Sequence, residues 1–138
     1  MKILVDANVA LDVLLQRQPF YISGLKVLGL SKGGIELYIS ASTVTDLYYI
    51  TCKHLKDKKT AISLLKNLLN TVEVASVTNN EIRRALDLDW DDFEDAVQYA
   101  AGETMLVDYL VTRNISDFSS VAFPVVSPDE LLNILVKT

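Results

Sequence analysis

The order of apolar segments predicts an α/β fold with a mainly parallel central sheet of about five strands, flanked by helices. Three observations carry this expectation. First, "KILV", "ELYIS", "VEVASV", "YLVT" and "FPVVS" have strand length and are rich in apolar or β-branched residues. Second, segments with helical spacing of apolar residues lie between most of them. Third, those intervening segments are long enough for crossovers, which are right-handed in parallel sheets.

Element by element, "KILVD" reads as a short buried strand, with Ile3, Leu4 and Val5 in a row. Asn8 is expected to cap a helix running to about Leu15, with Pro19 ending the segment. "YISGLKVLGLSKG" is a second helix stopped by Gly33 and Gly34. After "ELYIS", the stretch "STVTDLYYITCKHL" places Val44, Leu47, Tyr48 and Cys52 at helical spacing. "KTAISLLKNLLNT" is a strongly amphipathic helix. The third strand follows, then the short helix "NNEIRRALDL" and the helix "DDFEDAVQYAAG", expected to close near Gly102. Strands four and five precede "PDELLNILVKT", where Pro128 suits the first helical turn and Asp129 and Glu130 complement the helix dipole.

The 138 residues fit one domain, 1–138, and half of them are hydrophobic, enough for a single core. The formal net charge is −5, from 13 basic and 18 acidic residues, so no global basic footprint for nucleic acid exists. Cys52 is the lone cysteine, which excludes an internal disulfide framework and argues against a cysteine zinc site. A reduced, cytoplasmic compartment fits this usage. His54, the single histidine, lies in the lysine-rich helix end "TCKHLKDKK", where a solvated role is expected. The run Lys53, Lys56, Lys58 and Lys59 reads as a solvated helix end rather than an RNA track. No signal-peptide pattern is present, and no apolar run is long enough to span a bilayer.

The chemistry-bearing signal is a set of carboxylates at one sheet edge. In such sheets, sites form outside the carboxyl ends of the strands. Asp6 ends strand one, and Asp46 lies in the first turn after strand two. Asp95 lies in the first turns of the helix before strand four, and "TRNISDF" after that strand carries Asn114 and Asp117. Each residue also has a structural role open to it. Thr43 and Asp46 form a T-x-x-D capping-box pattern, and Asp91 or Asp92 caps the next helix. Asp92 shares a helix face with Asp95. Glu94 complements the helix dipole, Asp12 either supports the site or is solvated, and Asp108 sits at the wrong end of strand four and is structural. Four carboxylates at one edge are hard oxygen ligands suited to Mg²⁺ or Mn²⁺. Two such ions suit in-line phosphodiester hydrolysis. Mutual repulsion among the acids predicts that Asp6→Asn leaves the metal-free protein at least as stable as the parent.

These residues resemble a known family. "ILVDANVALDVLL", "SASTVTDLYYI", "DFEDAVQYAAG" and "DYLVTRNISDF" are similar, in order, to the motifs of PIN-domain proteins of the VapC-like ribonuclease toxin type. The resemblance covers essentially the whole chain. It implies a Mg²⁺- or Mn²⁺-dependent endoribonuclease with about four acids: Asp6 as the first, Asp95 as the third and Asp117 as the fourth. Asp46 falls where many members carry glutamate, one methylene longer. Asn8, Thr112 and Asn114 match polar positions that orient the acids or the attacking water, with Asp92 in support. The resemblance further implies an RNA substrate, a homodimer and a small antitoxin partner. The alternative is a PIN-fold nucleic-acid or protein binding module that is weak or inactive as a catalyst, motivated by Asp46. A haloacid-dehalogenase-type phosphatase needs an aspartate at position 8, where Asn8 stands, and a receiver domain needs an aspartate after strand three, where "ASVTNN" stands.

Overall fold

The computed structural model describes residues 1–118 and 121–136. Its elements are β1 (Lys2–Val5), α1 (Ala7–Leu14), α2 (Tyr21–Gly29), β2 (Glu36–Ser40), α3 (Ala41–Leu55), α4 (Lys58–Leu68), β3 (Glu73–Ala75), α5 (Asn79–Leu88), α6 (Phe93–Met105), β4 (Tyr109–Val111), β5 (Val125–Val126) and α7 (Pro128–Val136). Short 3₁₀ turns at Leu30–Gly33 and Ile115–Asp117 complete the list. The last two residues of the expected terminal helix lie outside the described residues. The five strands form one parallel sheet in the order β3-β2-β1-β4-β5, as the alternation of segments predicts.

Side chains alternate across each strand, so both sheet faces must be covered. Ile3, Val5, Leu37, Ile39 and Val111 point into one core with Val9, Val27, Leu47, Leu65 and Leu131 from the helices. Leu4, Tyr38 and Leu110 point the other way, against Tyr99, Phe118 and Phe123. Strand β1 is central and completely buried from Ile3 to Val5, which accounts for its unbroken apolar run. The chain turns left to β2 and β3 and right to β4 and β5, so the switch point lies between β1 and β4. Ligands bind at such points.

Several local expectations need correction. Asp6 caps α1, accepting from the Ala7 N–H, so Asn8 is inside the helix and its side chain is released for other contacts. Ser40 caps α3 through the Thr43 N–H, because the helix begins at Ala41. Asp46 therefore lies in the second turn, and the Thr43–Asp46 capping box does not form. Asp92 rather than Asp91 caps α6. That helix continues past Gly102 to Met105, since Leu106 supplies the left-handed residue at φ 56°. Gly102 serves close packing instead: a Cβ there would meet Phe123 at 3.0 Å and Leu4 at 3.1 Å. Asp108 is structural as expected, accepting from the Lys2 backbone N–H at 2.8 Å. Asp12 is neither solvated nor loosely placed. It is 1% exposed and bound by Arg113 through both carboxylate oxygens, at 2.7 and 3.1 Å.

Candidate active site at the β1–β4 switch point

Asp6 is the anchor of the site. It is 7% exposed and accepts four hydrogen bonds. Its Oδ1 takes the Ala7 N–H at 2.7 Å and Gln98 Nε2 at 2.9 Å. Its Oδ2 takes Thr112 Oγ1 at 2.6 Å and Asn8 Nδ2 at 3.0 Å. These donors come from α1, from the middle of α6 and from the end of β4, so a single carboxylate ties three elements together. Four acceptor sites are all that an ionised carboxylate offers. A buried carboxylate at a strand end is costly unless so satisfied.

Asn8 and Thr112 link this anchor to the loop after β4. Asn8 Nδ2 also donates to Thr112 Oγ1 at 3.1 Å, and the Arg113 N–H donates to Asn8 Oδ1 at 3.2 Å. The Asn114 N–H donates to Thr112 Oγ1 at 3.0 Å. Arg113, clamped to Asp12 and lying 3.9 Å over the Phe20 ring, fixes the far side of the same loop. Asn114 thus contributes through its backbone.

Asp95 faces this anchor from the first turn of α6. Burial and the nearby carboxylates of Asp92, Asp6 and Asp117 push its pKa from 3.8 up to about 7. Asp117 lies on the exposed 3₁₀ turn after β4, and its side chain makes no hydrogen bond to a described residue. Among the described residues, no lysine or arginine is paired with Asp6, Asp95 or Asp117; the ion pairs present engage Asp12 and Glu103.

Asp46 is placed differently. Its carboxyl meets Glu94, whose pKa is raised by hydrogen bonding to Asp46, by burial and by the charges of Asp46 and Asp92. The structure therefore brings together Asp6, Asp92, Asp95 and Asp117, and sets Asp46 at the side through Glu94. Glu94 and Gln98 were missed in sequence reasoning. Glu94 carried a signal in "DFEDA", whereas Gln98 sits among the apolar residues of a buried helix face and carried none. Gln98 Oε1 is also buried without a hydrogen-bond partner.

A divalent cation is a chemical match for this group. The donors are hard oxygens, no lysine or arginine among the described residues pairs with them, and Gln98, whose Nε2 holds Asp6, has a buried amide oxygen without a hydrogen-bond partner. Among the described residues, no three Asp, Glu, His or Cys side chains stand as they are around one ion position. Asp6 is locked by its donors, so closure around an ion falls to Asp95 and the exposed Asp117.

Fold and site together define an α/β protein with a parallel five-stranded sheet and a group of acids at its switch point. A family model for the PIN domain matches residues 2–116, and the chain belongs to that family. It is 27% identical over 126 residues to Ribonuclease VapC1 of Aquifex aeolicus, covering 86% of this chain and 85% of that protein. Its fold is similar to VapBC-1 from nontypeable Haemophilus influenzae, with TM-score 0.72 and 13% identity over 94% of this chain and 99% of that one. It is also similar to VapBC2 from Rickettsia felis, solved bound to a promoter DNA fragment, with TM-score 0.71 and 18% identity over 92% and 98% of the two chains. No helix among the described residues is long and apolar enough to cross a membrane.

Proposed function

We propose that this chain is a divalent-metal-dependent endoribonuclease that hydrolyses RNA phosphodiester bonds, and that it acts as the toxin of a toxin–antitoxin pair. The observation that carries the reading is the meeting of Asp6, Asp95 and Asp117 at the switch point with no lysine or arginine among the described residues paired to them. The similarity to a VapC ribonuclease, and to chains from VapBC complexes, supports the same reading. By the family resemblance, the working unit is a homodimer restrained by a small antitoxin.

Asp95 and Asp117 would hold Mg²⁺ or Mn²⁺, joined by Asp6 once one of its four donors gives way, with Asp46 contributing at the side through Glu94. Bound there, the ion supplies Lewis acidity toward a phosphate oxygen and screens the acids from the substrate's charge. The chain's own residues do the positioning. Thr112 and Asn8 hold one oxygen of Asp6, while Gln98 and the Ala7 N–H hold the other. Asp92 fixes the start of α6 and therefore the direction of Asp95.

The placement of Asp46 against Glu94, away from Asp95, favours a second reading: a PIN-fold binding module with weak or no turnover. One assay separates the two. Total RNA is incubated with the purified protein in Mn²⁺, in Mg²⁺ and in chelator. Cleavage that needs the ion and disappears in chelator supports the nuclease. RNA binding without cleavage in any condition replaces it with the binding module.

A further inference from the structure

A cavity of about 370 Å³ opens beside Asp117, lined by Asp89, Trp90, Asp91, Asp92, Ser116 and Asp117. Trp90 is the single tryptophan of the chain. Tyr99 holds its ring at a centroid distance of 5.2 Å and a tilt of 35°, and Phe118 meets it edge-on at 5.9 Å and 84°. Trp90 lines the cavity and is half-buried, so the two rings do not cover it completely. Its N–H makes no hydrogen bond to a described residue. Asp92 and Asp117 belong both to this cavity and to the acid group of the site.

We propose that this cavity is a nucleobase pocket that selects guanine next to the scissile phosphate; the proposal rests on the nuclease reading for its substrate class. A ring braced on two aromatics is a platform on which a base stacks. The carboxylates of the rim repel phosphate, so the base is the part of a nucleotide that enters. Carboxylates only accept hydrogen bonds, which makes the choice of base chemical. Guanine presents two adjacent donors, its ring N1–H and its exocyclic amine, matching the two oxygens of one carboxylate. Adenine and cytosine present the amine beside an acceptor, and uracil presents one N–H between two acceptors. Sequence-specific RNA recognition works on such unpaired bases, stacked on aromatics and read along their edges. Asp91, exposed on the rim and free of the duties of Asp92 and Asp117, is the specificity-determining residue.

Because Trp90 is the single tryptophan, its fluorescence reports the pocket directly. Nucleosides carry no phosphate, so the titration is run on the full chain in chelator. Guanosine is expected to quench Trp90 saturably, with an affinity about tenfold above uridine. Asp91→Asn, an exposed change that leaves the aromatic cluster intact, should bring the two within about threefold. In Mn²⁺, the parent should cleave oligoribonucleotides with one internal guanine faster than the all-uridine control, and Asp91→Asn should narrow that ratio. Equal quenching by all four nucleosides, or by none, overturns the proposal, as does a selectivity that Asp91→Asn leaves unchanged. Quenching by N-acetylarginine amide but not by guanosine overturns it in favour of a cationic peptide. Guanosine quenching in a protein that cleaves no RNA would leave the pocket standing and remove the nuclease reading.

Discussion

Helices α5 and α6 pack against each other, and each carries an acid at the third position of its first turn. In α5 that acid is Glu81 and the cap is Thr78. In α6 it is Asp95 and the cap is Asp92. The first pair closes a reciprocal capping box: Glu81 Oε1 takes the Thr78 N–H at 2.7 Å and Thr78 Oγ1 at 2.6 Å. Thr104, from the end of α6, adds a bond at 2.8 Å. Hydrogen bonds to Thr78, with that from Thr104, lower the pKa of Glu81 to about 2. The second pair opposes two carboxylates, and Asp95 rises to about 7. One helical position is thus used for stability in α5 and is held at a cost in α6. The difference lies in the neighbours: hydroxyl and amide donors around Glu81, further acids around Asp95.

Exchanging the roles should fail, and the largest effect is expected at the site. Asp95→Asn keeps the shape and removes the charge. RNA cleavage in Mn²⁺ should fall about 10²–10³-fold, the range for losing one group that stabilises developing charge. Its metal-free melting temperature should match or exceed that of the parent. Full cleavage by the variant would end the assignment of Asp95. Glu81→Ala should do the opposite: cleavage unchanged, and stability lower by about 1–3 kcal/mol in urea unfolding, because the Thr78 and Thr104 donors lose their acceptor.

Asp6 tests the boundary between the two kinds of acid. It belongs to the candidate site, yet its four donors resemble the satisfied environment of Glu81. The sequence-based expectation that Asp6→Asn is harmless to the metal-free fold is therefore revised. An asparagine would set its NH2 group against the two donors that one Asp6 oxygen now accepts. A loss of about 1–2 kcal/mol in chelator is expected, together with loss of cleavage. A melting temperature at or above that of the parent would show that repulsion outweighs the cap.

The smallest effect is in pH dependence, and its sign differs between the two helices. Asp95 has a folded pKa raised from 3.8 to about 7. Its contribution to metal-free stability is full below pH 3.8 and is lost as pH rises through about 7. Glu81 is lowered from 4.5 to about 2, so its contribution is present above pH 4.5 and is lost as pH falls through about 2. Urea midpoints for each variant against the parent across this range should show the Asp95 difference growing toward neutral pH and the Glu81 difference vanishing in acid. Parallel curves would remove the contrast.

How far the sequence revealed this arrangement follows from what is local. The strand "KILVD" announced a buried β1 and an acid at its end, because three apolar residues in succession suit a strand covered on both faces. Asp6, Asp95 and Asp117 were legible as a group once the strands were parallel, since the edge they share follows from topology. The contact of Asp46 with Glu94 was not legible. It depends on how α3 lies against α6, and helical periodicity describes one helix at a time. The same limit hid Gln98, whose neighbours are apolar, and Trp90, whose place beside Asp117 depends on the packing of Tyr99 and Phe118. Ser40 displaced the Thr43 cap because a helix start moved by a few residues, which local pattern resolves poorly.

Of the five strands, central β1 is synthesised before the others, and its partner β4 only after β2 and β3. Asp6 must wait for Gln98, 92 residues later, and for Thr112, 106 residues later. A nascent chain therefore leaves the ribosome with its principal acid present and its other site residues still unmade. Truncated translation products ending before Thr112 carry Asp6 without Asp117 and without the clamp that positions it. If the protein destroys RNA, the ribosome making it is exposed to an assembled site only once Thr112 and Asp117 have emerged, well after Asp6.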